Sequence, residues 1–117
     1  MKILELFNVS GKVAIVTGGS RGIGEMIAAG FLANGVKVYI TARKEGPLIE
    51  KAEELSKKYN GDCIPIACDL SSTVGTNYFV EKILKHEKGI DFLINNAGAA
   101  WGEPYKSFSE SGWDKVM

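Results

Sequence analysis

The stretch "KVAIVTGGSRGIGEMIAAGFLANG", Lys12 to Gly35, constrains the fold more than any other part of the chain. Lys12–Thr17 is a continuous apolar, β-branched run, which marks a strand buried on both faces. A glycine-rich turn follows. Apolar residues then recur at Ile23, Ile27, Ala28, Phe31 and Leu32, the spacing of one helix face, and Asn34-Gly35 ends the helix in the manner of a C-cap. A buried strand delivered through a tight turn into an amphipathic helix is half of a βαβ unit, and parallel strands need such crossovers.

The same alternation repeats. Residues 36–41, "VKVYIT", form a second predicted strand. The spacing predicts a helix over 47–59: Pro47 suits its first turn, and Leu48, Ala52, Leu55 and Tyr59 share a face. Glu53–Lys57 and Glu54–Lys58 are expected to pair at i,i+4 on the wet side, and Asn60-Gly61 closes the helix. "CIPIAC" (63–68) reads as a third strand, a third helix runs from about Thr73 to Glu87 behind Ser71 or Ser72 as cap, and "IDFLIN" (90–95) is a fourth strand. Strands separated by helices of this length imply an α/β fold, a doubly wound parallel sheet with helices on both faces. Pro65 cannot donate to a sheet ladder and fits an edge, which agrees with a Rossmann-type strand order of 3-2-1-4.

Composition excludes several classes. Fourteen basic and 14 acidic residues balance, giving no electrostatic reason to expect nucleic acid or an anionic membrane as partner. No apolar run approaches the ~18 residues of a membrane span, and Met1–Ser10 is unlike a signal peptide, so a cytoplasmic location is expected. Cys63 and Cys68 are five residues apart on a strand and therefore point to opposite faces, as small buried hydrophobes rather than a disulfide or metal pair. His86, the single histidine, lies in the charged "KHEKG" and reads as solvated. No metal site is expected.

Ligands of doubly wound sheets sit at the carboxyl ends of the strands, near the reversal between strands 1 and 4. Three motifs fall there. "TGGSRGIG", Thr17 to Gly24, follows strand 1; Gly18, Gly22 and Gly24 permit a tight turn and close approach of a pyrophosphate to the helix N-terminus. Asp69-Leu70 follows strand 3, and "NNAG", Asn95 to Gly98, follows strand 4. The spacing T-G-x-x-x-G-x-G with these two motifs in this order resembles the short-chain dehydrogenase/reductase family, over the chain from Gly11 onward.

That resemblance implies roles residue by residue. Thr17, Gly18, Ser20, Arg21, Gly22, Ile23 and Gly24 would hold the cofactor's phosphates and adenosine ribose. Asp69 and Leu70 would meet the adenine, the carboxylate accepting from its exocyclic amine. Asn96, Ala97 and Gly98 would line the nicotinamide-side ribose, with Asn95 tying strands together. An NAD site places an acid at the end of strand 2. Here that position holds Ala42, followed by Arg43, with Arg21 in the glycine turn. Guanidinium groups bind a 2′-phosphate through charge-assisted bonds, so NADP(H) is expected over NAD(H). The alternative reading of Arg43 is a solvated residue of the charged loop "ARKE".

Family enzymes reduce a carbonyl with a serine, a tyrosine, a lysine four residues after it, and an asparagine; the lysine lowers the pKa of a phenol otherwise near about 10. By the resemblance all four lie beyond Met117, so residues 1–117 are expected to be an incomplete dinucleotide-binding domain, cut before strand 5, without its C-terminal catalytic half and inactive alone. "SESGWDKVM" starts a helix that the chain leaves unfinished. Strand 4 would then present an exposed edge. Tyr78 and Lys82 share the Y-x-x-x-K spacing but precede "NNAG", and are read as a helix-face residue and its solvated neighbour. Trp101, with "SGWDKVM", resembles a subgroup of 3-oxoacyl-(acyl-carrier-protein) reductases; this implies a small carbonyl substrate, perhaps an acyl thioester, with Trp101 walling its pocket or else capping a surface cluster. Full-length relatives commonly form homo-oligomers. The alternatives are a non-catalytic nucleotide- or partner-binding module and a half-enzyme completed by another polypeptide.

Overall fold

A computed structural model describes residues 6–96. Along the chain run β1 (Val13–Thr17), α1 (Gly22–Ala33), β2 (Lys37–Ala42), α2 (Glu45–Tyr59), β3 (Cys63–Ala67), α3 (Thr73–His86) and β4 (Phe92–Ile94). The four strands form one parallel sheet in the order β3-β2-β1-β4, with Ile15 opposite Tyr39 and Leu93, and Tyr39 opposite Ile64. The expected doubly wound architecture and strand order are present. Each element begins or ends within two residues of its sequence reading, β4 being the shortest.

Side-chain alternation divides the core into two layers. Ala14, Val16, Val38, Ile40 and Cys63 face α1 and α2, meeting Ala28, Leu32, Leu48, Ala52 and Leu55. Ile15, Tyr39 and Ile66 face α3 on the other side, meeting Phe79 and Ile83. Cys63 belongs to the first layer and Cys68 packs on the second, so the two thiols do lie on opposite faces. His86 is exposed.

The outer position of β3 explains how the sheet accepts Pro65. Cys68 donates its N–H inward to the Ala42 carbonyl, and N–H directions alternate along a strand. Pro65, three residues earlier, thus faces outward at the edge, where no ladder bond is lost. Cys63, facing the same way, donates to Ser56 Oγ at 3.1 Å. At the opposite edge Leu93 is 58% exposed.

Two local expectations are corrected. Ile23 is not part of the buried stripe of α1; it is 68% exposed, because the stripe runs through Gly24, Ala28 and Leu32 instead. The ion pairs on α2 do not follow the i,i+4 scheme. Lys51 takes Glu54 at 2.8 Å and Glu25 of α1 at 2.7 Å, so the cation bridges two helices rather than decorating one. These two acceptors, Glu25 first, push the Lys51 pKa up to about 12.

Candidate functional site: the carboxyl ends of the strands

The ends of β1, β2 and β4 and the start of α1 meet at Gly18. Its N–H extends the ladder to the Thr41 carbonyl at 3.0 Å. Its carbonyl accepts from Asn96 Nδ2 at 3.4 Å. One residue earlier, buried Thr17 donates its hydroxyl to the Ile94 carbonyl at 3.3 Å and accepts the Asn96 N–H at 2.9 Å. The first and last of the three motifs are therefore stitched together across β1 and β4. Asn96 makes these crossing bonds, whereas Asn95, expected to tie the strands, is exposed.

Gly24 shows how close the approach is. A Cβ at this position would stand 2.3 Å from the Gly18 carbonyl oxygen and 2.6 Å from Asn96 Nδ2. The first turn of α1 thus lies against the end of β1 at a separation that only a glycine permits. Gly18 itself has φ +68°, a left-handed conformation that favours glycine. Gly19, which the sequence reading did not single out, is buried and equally confined: its Cβ would meet Ile40 Cγ2 at 2.5 Å. The doubled glycine directly after a buried strand was the available signal.

This packing aims the start of α1 at the carboxyl end of the sheet. Arg21, its N-cap, is extended and makes no side-chain cap bond, so no side chain of the turn covers the first N–H groups. Uncapped N–H groups and the positive end of the helix dipole suit an anion. Arg21, Gly22 and Ile23 are exposed there, with Ser20 half-buried. A Cβ at Gly22 would meet nothing within 4 Å, so the space beside these N–H groups is open to an anionic group.

The ends of β2 and β3 supply the remaining groups. Arg43 is exposed immediately after β2, and Ala42 precedes it where an acid would contact a ribose. Asp69 Oδ1 accepts from the Ser71 hydroxyl at 2.6 Å and from the Ser71 N–H at 3.0 Å. Those two bonds, with the positive charge of Arg43, hold the Asp69 carboxyl below its usual range. The charge of Arg43 thus reaches Asp69 although 26 positions separate them in sequence. Leu70 is half-buried against the core layer that faces α3. Ala97, Gly98, Trp101 and the helix start at Ser109 lie outside the described residues.

Tyr78 and Lys82 stand apart from this junction. They line a shallow groove with Glu45, Leu48, Pro65 and Ala67 at the β3 edge of the sheet. Lys82 Nζ sits 5.6 Å from the centroid of the Tyr78 ring, so the lysine caps the aromatic face instead of being merely a solvated neighbour. Among the described residues no group of three His, Cys, Asp or Glu side chains could hold a metal ion, and no helix is long and apolar enough to cross a membrane.

Comparison with known proteins agrees with this geometry. The chain is 44% identical over 111 residues to the rhamnolipids biosynthesis 3-oxoacyl-(acyl-carrier-protein) reductase of Pseudomonas aeruginosa, covering 95% of this chain and 43% of that protein. The solved RhlG/NADP active-site complex from Pseudomonas aeruginosa superposes with a TM-score of 0.83 at 44% identity, over 94% of this chain and 42% of that one. The L-sorbose reductase of Gluconobacter frateurii, solved with NADPH and L-sorbose, gives a TM-score of 0.82 at 36% identity, over 89% of this chain and 40% of that one. The chain thus spans well under half the length of these relatives. The sequence profile of the short chain dehydrogenases matches residues 12–117, and the chain belongs to that family.

Proposed function

We propose that this chain is the cofactor-binding part of an NADP(H)-dependent short-chain oxidoreductase that interconverts a carbonyl and an alcohol, with a 3-oxoacyl thioester as the substrate class. The observation that carries the reading is the junction at Gly18, which bonds to the end of β2 while Thr17 and Asn96 tie β1 to β4 and Gly24 brings the uncapped start of α1 against them. Gly18, Ser20, Arg21, Gly22, Ile23 and Gly24 would hold the pyrophosphate and adenosine ribose. Asp69 and Leu70 would take the adenine, and Asn96 with Ala97 and Gly98 the nicotinamide-side ribose. When bound, the reduced nicotinamide supplies a hydride to a carbonyl carbon. The chain's own part is to bind and orient it. Residues 1–117 form the dinucleotide-binding domain in this reading, and the proton donor comes from outside it.

Preference for the phosphorylated cofactor rests on Ala42 and Arg43. An alanine neither bonds the ribose hydroxyls nor repels a 2′-phosphate, and Arg43, with Arg21 across the turn, offers charge-assisted bonds to it. Two similar solved structures are complexes with NADP and with NADPH, which supports the same choice. The acyl substrate class is supported by the likeness to the rhamnolipids biosynthesis 3-oxoacyl-(acyl-carrier-protein) reductase.

Nicotinamide fluorescence titration of the purified protein tests the cofactor. NADPH is expected to bind about tenfold or more tightly than NADH, the worth of one charge-assisted contact. The double change Ala42→Asp, Arg43→Ala is expected to invert the order. Equal affinities in the unaltered protein would overturn the NADP(H) assignment. Failure of the whole protein to oxidise NADPH with any 3-oxoacyl thioester would overturn the substrate class.

A further inference from the structure

The link between β3 and α3 is wound so tightly that Asp69 has little freedom in either its backbone or its side chain. Its carbonyl accepts from the Ser72 N–H at 3.3 Å and the Ser72 hydroxyl at 3.2 Å. That hydroxyl also caps α3 by accepting the Gly75 N–H at 3.0 Å. Gly75 presses on the same carbonyl, since a Cβ there would stand 1.9 Å from the Asp69 oxygen. Thr76 closes the turn from the next position, donating to the Ser72 carbonyl at 2.9 Å. A glycine in the first turn of a helix costs backbone entropy, and here the close contact with Asp69 explains it.

The side chain is held independently. Asp69 is exposed, so a carboxylate on this turn would otherwise sample several rotamers. Both bonds from Ser71 go to Oδ1, while Oδ2 makes no hydrogen bond among the described residues. One oxygen is anchored and the other is presented.

We propose that Ser71 is a positioning residue for base recognition: its hydroxyl locks the Asp69 carboxylate so that Oδ2 meets the exocyclic amine of an adenine, which makes selectivity for the base depend on a side chain that need not touch the nucleotide. The inference rests on the cofactor reading above and adds the residue that prepares Asp69 for it. A pre-ordered acceptor loses less rotamer freedom on binding, so the gain falls on ligands that use that acceptor. Ligands that ignore it gain nothing. Ser71→Ala removes the 2.6 Å bond but leaves the backbone N–H bond in place, so a partial loss is expected.

The experiment compares NADPH with its hypoxanthine analogue, in which the 6-amino group is replaced by oxygen, titrating the purified protein with each. The unaltered protein is expected to favour the adenine form. Ser71→Ala should lower the ratio of the two affinities by about fivefold, the scale of one weakened bond to a charged acceptor. Ser71→Thr, which keeps the hydroxyl, should retain the ratio, and Asp69→Asn should abolish or reverse it. If Asp69→Asn leaves the ratio unchanged, the assignment of Asp69 to the adenine falls. If Asp69→Asn abolishes the ratio while Ser71→Ala does not move it, or weakens both nucleotides equally, only the positioning role of Ser71 is overturned.

Discussion

Replacing Gly24 with alanine adds one methyl group at the most crowded point of the site. The new Cβ would lie 2.3 Å from the Gly18 carbonyl oxygen and 2.9 Å from its carbon. Ordinary contact needs about 3.5 Å, so the start of α1 must retreat from β1 by about 1 Å. The obstacle is backbone, which cannot rotate aside. Asn96 Nδ2, at 2.6 Å, could rotate, but only by giving up its bond to Gly18. Overpacking of this kind costs about 1–3 kcal/mol, partly offset by the better helix propensity of alanine, about 1 kcal/mol at most. A net loss of about 1–2 kcal/mol corresponds to a fall in melting temperature of roughly 5–10 °C for a domain of this size. The retreat also carries the α1 N–H groups away from the proposed phosphates, so NADPH affinity should drop about tenfold or more. Gly30 provides the control. It lies in the same helix with nothing within 4 Å of its would-be Cβ, so Gly30→Ala should stabilise by about 0.5–1 kcal/mol and leave affinity unchanged. Thermal melts by circular dichroism and nucleotide titrations read both effects. A Gly24→Ala protein melting at or above the unaltered one would refute the close-approach argument.

Two further outcomes follow from groups away from the site. Glu87, just past α3, accepts the hydroxyl of buried Tyr39 at 2.5 Å and pairs with Lys37 at 2.7 Å; the Lys37 bond first and the Tyr39 bond second hold its carboxyl below the usual value. A depressed folded pKa contributes stability that is present above the unfolded value of about 4.3 and lost as pH falls through the folded one. The melting temperature of the unaltered protein should therefore fall more steeply below pH 4 than that of Glu87→Gln, and parallel curves would exclude Glu87 as a source of acid sensitivity. Burial pushes the Cys63 thiol up to about 12, so it should react with a thiol-specific disulfide reagent at pH 8 only after denaturation; rapid labelling of Cys63 in the native protein would contradict its place in the core.

Much of this molecule is legible in its sequence because the signals are local and mutually consistent. The unbroken apolar run of β1 identifies a strand buried on both faces, and the Asn-Gly pairs mark where α1 and α2 end. Pro65 places β3 at an edge through one missing N–H group. These features state what each residue can and cannot do with its own backbone, and that does not depend on the partner. The three motifs are legible for the same reason: glycines and an aspartate directly after strands have few other uses.

What the sequence leaves open is which groups meet. Ile23 falls on the helix period yet is exposed, because the face of α1 that packs is set by the close contact of Gly24 with Gly18. Lys51 has acids available along its own helix, yet it also reaches Glu25 on α1, since two helices on one sheet face stand closer than any sequence spacing reveals. Asn96 rather than Asn95 joins β4 to β1, a choice made by which amide the pleat turns inward. Ser71 carries no signal by itself; it matters only because the turn into α3 folds it back onto Asp69. The chain's own residues thus determine the elements, their order and the chemistry offered at the strand ends. Only the packed sheet decides which donor faces which acceptor, because hydrogen bonds act over about 3 Å and a sequence contains no distances.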